Sequence, residues 1–234
     1  MEALRNFFYD KNVNKILDVG TGEGKFIPVL KESFPEAEIW GVDPDNNSLV
    51  EAKLNFPDVS FQPMNAEELV FEDDTFDVVS LSMALHHLNK VKKGLKEINR
   101  VTKPDGWIII NELVSDNLEP AQEVHKMYHH FRSRIDRLTG INHRETFRKE
   151  EILQMVRQAG ISVQFFFEHK REVNLVEEDD ALDKMVQKMK QKLETIKAQP
   201  EYEEMQPQIE EFRTKAMEFG FQPATNVVIV GRKK

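Results

Sequence analysis

The chain has 234 residues, with 32 Lys+Arg against 41 Asp+Glu, a net charge of −9 and a pI near 5.4. That length fits one large domain or one domain with an elaboration, and the acidic balance lacks the cationic footprint that phosphate backbones require, so no nucleic-acid partner is expected. There is no Cys, which excludes disulfides, thiolate nucleophiles and Cys-ligated zinc. No apolar run approaches the ~20 residues that span a bilayer, and MEALRNFFYD has no secretory h-region. A cytoplasmic protein without a membrane partner is the expectation.

Strand and helix signals alternate through the first half. Lys15-Ile16-Leu17-Asp18-Val19-Gly20 reads as a buried strand, and residues 26–34 carry Phe26, Val29, Leu30 and Phe34 at helical spacing. A second strand covers 38–43, then a helix over 46–56 with Asn46 or Asn47 as cap. A short third strand, 59–64, lies near Pro63 and so near a sheet edge. A fourth covers 76–81, and Val91, Leu95, Ile98 and Val101 mark one helix face. Pro104-Asp105-Gly106 reads as a turn, and 107–113 as a fifth strand. Strands alternating with helices imply a parallel sheet covered on both faces.

The second half is more helical. Residues 119–139 and 149–158 read as helices, and 161–167 as a strand. Two charged amphipathic helices over 178–198 and 201–219 follow, and 225–230 is a last strand. The acidic run Glu177-Glu178-Asp179-Asp180 reads as a solvated helix start. The Met- and Phe-rich stripes of 176–219 have to be buried, on the sheet domain or on a second copy of the chain.

The sharpest local signal is Asp18-Val19-Gly20-Thr21-Gly22-Glu23-Gly24, where the first strand meets the first helix. Glycines there allow a tight turn and let a ligand lie against bare backbone. Asp43 stands 23 residues after Gly20, at the end of the second strand, where an acid can accept from a ribose diol. A nicotinamide dinucleotide prefers G-x-G-x-x-G; here the third glycine comes one residue early, and Glu23 is unwelcoming to a pyrophosphate. A phosphate-free cofactor with a positive sulfonium tolerates both Asp18 and Glu23, so the electrostatics favour S-adenosyl-L-methionine.

ILDVGTGEGKF, WGVDPD, MNAEELVFEDDTFDVVSLSMALHHL and INRVTKPDGWIII together resemble class I S-adenosylmethionine-dependent methyltransferases, in the small-molecule branch called methyltransferase type 11. The resemblance covers about residues 14–113. It implies an α/β, Rossmann-like, doubly wound seven-stranded sheet, mostly parallel, with an antiparallel last strand inserted between the fifth and sixth. It also implies that Asp18, Gly20, Thr21, Gly22 and Gly24 line the methionine part, and that Asp43, with Pro44 beside it, binds the ribose. Asn65, Ala66 and Glu67 then lie at the adenine, where the family usually has Asp in place of Asn65. Ser82 and Met83 lie where the methyl group is transferred. Phe7, Phe8 or Tyr9 could cap the cofactor or simply pack.

An acceptor should meet the cofactor beyond the carboxyl ends of the fourth and fifth strands, near His86, His87 and Glu112. The segment 117–148 is expected to be a helical lid, and 176–219 a helical insertion between the last two strands, all within one domain over 1–234. Six of the seven His fall between 86 and 143. On the lid helix an apolar stripe (Ala121, Val124, Tyr128, Phe131, Ile135, Leu138) borders a polar one (His125, His129, Arg132, Asp136). That border can be a pocket wall or a functionless boundary row. As a wall it makes His125, His129 and His143 candidates for proton transfer, with Tyr128, Arg132 and Arg144 as candidate acceptor contacts. Three imidazoles could also bind a metal, but Lys126 follows His125 and no H-E-x-x-H pattern is completed, so no metal is assigned.

The expected activity is methyl transfer to a small molecule by in-line displacement, with a homodimer through the insertion as a further expectation. The alternatives are an NAD(P)-dependent oxidoreductase, which lacks a recognisable hydride-transfer set here, and a non-catalytic S-adenosylmethionine-binding protein.

Overall fold

The computed structural model describes residues 1–177 and 180–233. In chain order the elements are α1 (Glu2–Phe8), β1 (Lys15–Val19), α2 (Ile27–Ser33), β2 (Glu38–Asp43), α3 (Asn46–Asn55), β3 (Ser60–Pro63), β4 (Phe76–Ser82), α4 (Val91–Val101), β5 (Thr102–Leu113), α5 (Pro120–Leu138), α6 (Lys149–Gln158), β6 (Ile161–His169), α7 (Ala181–Glu194), α8 (Glu201–Met205), α9 (Pro207–Phe219) and β7 (Asn226–Lys233). Glu178 and Asp179, the middle of the acidic run, lie outside the described residues. Among the described residues no helix is long and apolar enough to cross a membrane.

The chain forms two compact units. The first comprises 1–112, 150–169 and the segment from Val227; the second comprises 113–149 and 170–226. The first holds a seven-stranded sheet in the order β3-β2-β1-β4-β5-β7-β6. β1 pairs in parallel with β2 and β4, and β4 with β5, while β7 runs antiparallel to both neighbours. Ile16, Leu17 and Val19 of β1, Val78, Val79 and Leu81 of β4, Ile108 to Ile110 of β5 and Val227 to Val230 of β7 are all buried. Covered on both faces, these strands lose the period-two pattern.

Three local expectations are corrected. Pro104-Asp105-Gly106 is not a turn between elements but a bulge inside β5. Phe76 pairs with Thr102 and Val78 with Trp107, so β5 loops out against β4, with Asp105 at φ 60°. The cap of α3 is Asp45, whose carboxylate accepts from Asn47 N and Ser48 N; it bears the charge that a helix N-terminus favours. The helix expected over 201–219 divides at Pro207, whose missing N–H suits the first position of α9. The N-terminal aromatics pack. Phe8 is buried against Phe34 and Trp107, and Phe7 lies against Trp107 and Phe165, while Tyr9 is exposed.

In the second unit α5, α7, α8 and α9 share one core. Val124, Phe131 and Ile135 of α5 pack with Val186, Met189, Leu193, Ile196, Met205, Ile209, Phe212 and Phe221. The amphipathic stripes of 176–219 are thus buried against the α5 stripe, which needs a partner for the same reason. Each large side chain removed from water contributes about 1.5–3 kcal/mol, so these helices form a folded body rather than a charged hairpin in solvent.

Candidate active site

The first unit gathers its polar residues at the carboxyl ends of β1 to β5. Asp18 is the penultimate residue of the apolar strand β1 and is 1% exposed. The parallel register sets it beside Ser80 of β4, whose hydroxyl donates to Asp18 Oδ1 at 2.7 Å. Burial pushes the Asp18 carboxyl up to about 6, against the pull of that hydrogen bond. Among the described residues Asp18 has no salt bridge.

The chain then turns with Gly20 at φ 66° and Gly22 at φ 52°. A Cβ on Gly20 would sit 2.5 Å from Ala84 Cβ, so the loop and the segment after β4 touch backbone to side chain. Thr21 N donates to Val42 O at 3.0 Å. Gly22 N donates to Asp43 Oδ2 at 2.9 Å, and Asp45 N to Asp43 Oδ1 at 2.9 Å. Asp43 therefore fixes the loop after β1 to the start of α3, and two donors leave a carboxylate with acceptor capacity. Gly24 is buried in the turn, and Pro44 is exposed beside Asp43.

After β3, Asn65 Oδ1 accepts Glu67 N at 2.8 Å, a local turn, and Ala66 is buried. Glu67 is buried too, and its Oε1 accepts Lys90 N at 2.7 Å ahead of α4. After β4, Met83 sits at φ 55°, unusual for a residue with a Cβ, and its N–H donates to Asn111 O at 2.8 Å. Asn111 Nδ2 donates to Ser82 Oγ at 2.8 Å. All twelve residues assigned to the cofactor thus lie in one unit.

A position for a cofactor against the glycine loop can be tested on the loop itself. A Cβ added at Gly22 would meet no atom within 4 Å, so the protein leaves space on that face of the backbone. A buried carboxylate at Asp18 and a half-buried one at Asp43 suit a ligand with a positive centre and hydroxyls. The donor set fits S-adenosylmethionine.

His86 and Glu112 form a buried pair at the ends of β4 and β5. His86 Nδ1 lies 2.9 Å from Glu112 Oε1, and His86 N donates to Oε2 at 3.3 Å. Their residues are 4% and 1% exposed. A carboxylate that accepts Nδ1–H leaves Nε2 as the basic nitrogen of the ring. His87 is exposed, its ring 4.3 Å from that of His86.

The second unit holds His125, His129, His130 and His143. His125 Nδ1 accepts Ala224 N at 3.2 Å. Burial, then the nearby Arg132 charge, push its ring down to about 4, so it is neutral at pH 7. His129 and His143 do meet, Nε2 to Nε2 at 3.1 Å, and His143 Nδ1 lies 2.6 Å from Asp136 Oδ2. Lys192 of α7 forms an ion pair with the same Asp136. Burial raises the Asp136 carboxyl, but Lys192 and His143 outweigh it and hold it below the usual range. Tyr128 packs against Phe212 and Phe221, Arg132 lies over the Tyr128 ring, and Arg144 is exposed.

Asn111 and Asp136 carry a signal that the sequence does hold. Asn111 is a polar residue inside the apolar run of β5, and Asp136 sits on the polar row of α5. Lys192 carries none, because its partner lies 56 positions away on another helix.

Residues 17–110 match the family model described as a methyltransferase domain. An uncharacterized methyltransferase of Schizosaccharomyces pombe is 33% identical over 147 residues, which is 57% of this chain and 52% of that protein. A demethylmenaquinone methyltransferase of Chlorobaculum parvum is 28% identical over 144 residues, 62% of this chain and 58% of that one. The matches therefore span little more than half the length of these curated relatives. Among solved structures, an S-adenosylmethionine-dependent methyltransferase of Methanosarcina mazei superposes with a TM-score of 0.62 at 17% identity, over 100% of this chain and 97% of that one. That likeness shows the fold. Residues 17–110 thus match the methyltransferase domain family in its type 11 branch, and S-adenosylmethionine is the cofactor that the match implies.

Proposed function

We propose that the protein methylates a small molecule. The observation that carries this reading is the pinned glycine loop. Asp43 holds Gly22, the backbone face at Gly22 is open, and buried Asp18 stands behind it. Asp43 takes the ribose hydroxyls, Asn65 and the Ala66–Glu67 backbone border the adenine, and Ser82 and Met83 border the transferred methyl group. When bound, S-adenosylmethionine supplies an electrophilic methyl group on a positive sulfonium.

The chain's own work is alignment, exclusion of water and proton removal. Glu112 orients the His86 ring, and His86 Nε2 takes the proton that an acceptor O–H, N–H or activated C–H must lose. Glu112 is thereby a positioning residue. The relatives that act on demethylmenaquinone make reduced quinones the first acceptors to try. The partner is a small molecule, with neither nucleic acid nor membrane required.

The test is transfer of labelled methyl from S-adenosylmethionine to a panel of small phenols, quinols and amines. Turnover that falls at least tenfold in Glu112→Gln, with a shifted pH profile and unchanged S-adenosylhomocysteine affinity, supports the reading. Tight cofactor binding with no acceptor methylated favours a non-catalytic S-adenosylmethionine-binding protein.

A further inference from the structure

We propose that His129 and His143 are the imidazole ligands of a divalent transition-metal site within the second unit. This does not rest on the methyltransferase reading. Their Nε2 atoms lie 3.1 Å apart, close to the separation of about 3 Å that two nitrogens take when each lies roughly 2.0–2.1 Å from one metal ion. The rings are nearly perpendicular, at 84° with centroids 4.8 Å apart. The pair is therefore not a stack.

The second requirement, a partner behind the ligand, is met at His143. A metal-bound imidazole almost always donates its other N–H to a carboxylate, carbonyl or water, which fixes the tautomer and raises basicity. His143 Nδ1 meets Asp136 Oδ2 at 2.6 Å. Lys192 forms an ion pair with the other oxygen of Asp136. Asp136 is thus committed to orienting the ring.

The third is rigidity. His129 and Asp136 both project from the 19-residue helix α5. His143 is tied back to that helix twice, through Asp136 and through Arg137, whose Nη1 donates to His143 O at 2.8 Å. Arg137 also meets Glu145 at 3.0 Å. The surrounding charges balance, with Lys192 and Arg137 against Asp136 and Glu145. An imidazole pair with no acid between its nitrogens selects zinc, cobalt, nickel or copper over magnesium or calcium. His125, the third imidazole the sequence offered, has its Nδ1 taken by Ala224 N. Water or other donors would complete the coordination.

The experiment titrates the chelator-washed full chain with Co²⁺, read by visible absorption, and with Zn²⁺ by competition against a chromophoric chelator. One saturable equivalent is expected in the wild type. His129→Ala and His143→Ala should each weaken binding at least tenfold, Asp136→Asn should weaken it 10- to 100-fold, and His130→Ala should leave it unchanged. His129→Gln and His143→Gln serve where an alanine variant melts early. Zinc-induced shifts of the His129 and His143 ring ¹⁵N signals test the assignment in the unmodified chain. No saturable binding in the wild type, or wild-type affinity in both histidine variants, overturns the proposal. Loss of S-adenosylhomocysteine binding alone leaves it standing.

Discussion

The Asp43 carboxylate accepts the Gly22 amide at 2.9 Å, so the acid that ends β2 holds the loop that follows β1. One side chain thus shapes the loop and, in the proposed function, accepts from the ribose. Asp43→Ala removes both and should weaken S-adenosylmethionine binding by about 3 kcal/mol, roughly a hundredfold or beyond detection. Calorimetry that finds wild-type affinity in this variant contradicts the assignment.

Gly20 and Gly22 separate folding from binding. Gly22→Ala meets no protein atom and pays only for a positive φ, about 1 kcal/mol. It should leave the melting temperature within a few degrees of wild type, yet place a methyl group in the proposed cofactor position and cut affinity at least tenfold. Gly20→Ala drives a Cβ into Ala84 and should destabilise the fold itself. Full cofactor affinity in Gly22→Ala shows that the ligand lies elsewhere.

Asp18 carries a pH signature. Its carboxyl is raised by burial from 3.8 to about 6. Between those values the folded state binds more protons than the unfolded one. The stability is therefore complete below pH ~4 and is lost as pH rises through 6. Asp18→Asn removes that loss. Urea unfolding should show the variant more stable than wild type at pH 7.5, by up to about 3 kcal/mol, with no such gain at pH 4. A variant less stable than wild type at both pH values refutes this account of the buried charge.

The sheet was legible because strands buried on both faces read as apolar runs, and the loop after β1 because glycines and acids there have few other uses. Asp45 as the α3 cap was missed because Asn46 and Asn47 are equally good cap residues one and two positions on. The bulge at Asp105 looked like a turn because the chemistry is the same. The grouping of α5 with α7 and α9 was hidden, since each stripe shows that it must be covered but not by what. The Asp136–Lys192 pair was hidden for the same reason.

That shared core makes its own prediction. Phe212 is fully buried among Val124, Phe131 and Phe221 in the second unit. Phe212→Ala should cost about 3–5 kcal/mol of that unit's stability. Amide exchange should be slow over 186–193 and 209–216 in the native chain and fast in the variant. Fast exchange over both helices in the wild type contradicts the packing.

The most direct measurement is a pair of calorimetric titrations of the wild-type chain, one with S-adenosylhomocysteine and one with NADH. The pinned glycine loop, its early third glycine and the acids at 18, 23 and 43 predict saturable binding of S-adenosylhomocysteine and none of NADH at the same concentrations. Tighter binding of NADH, or no binding of S-adenosylhomocysteine, contradicts the account.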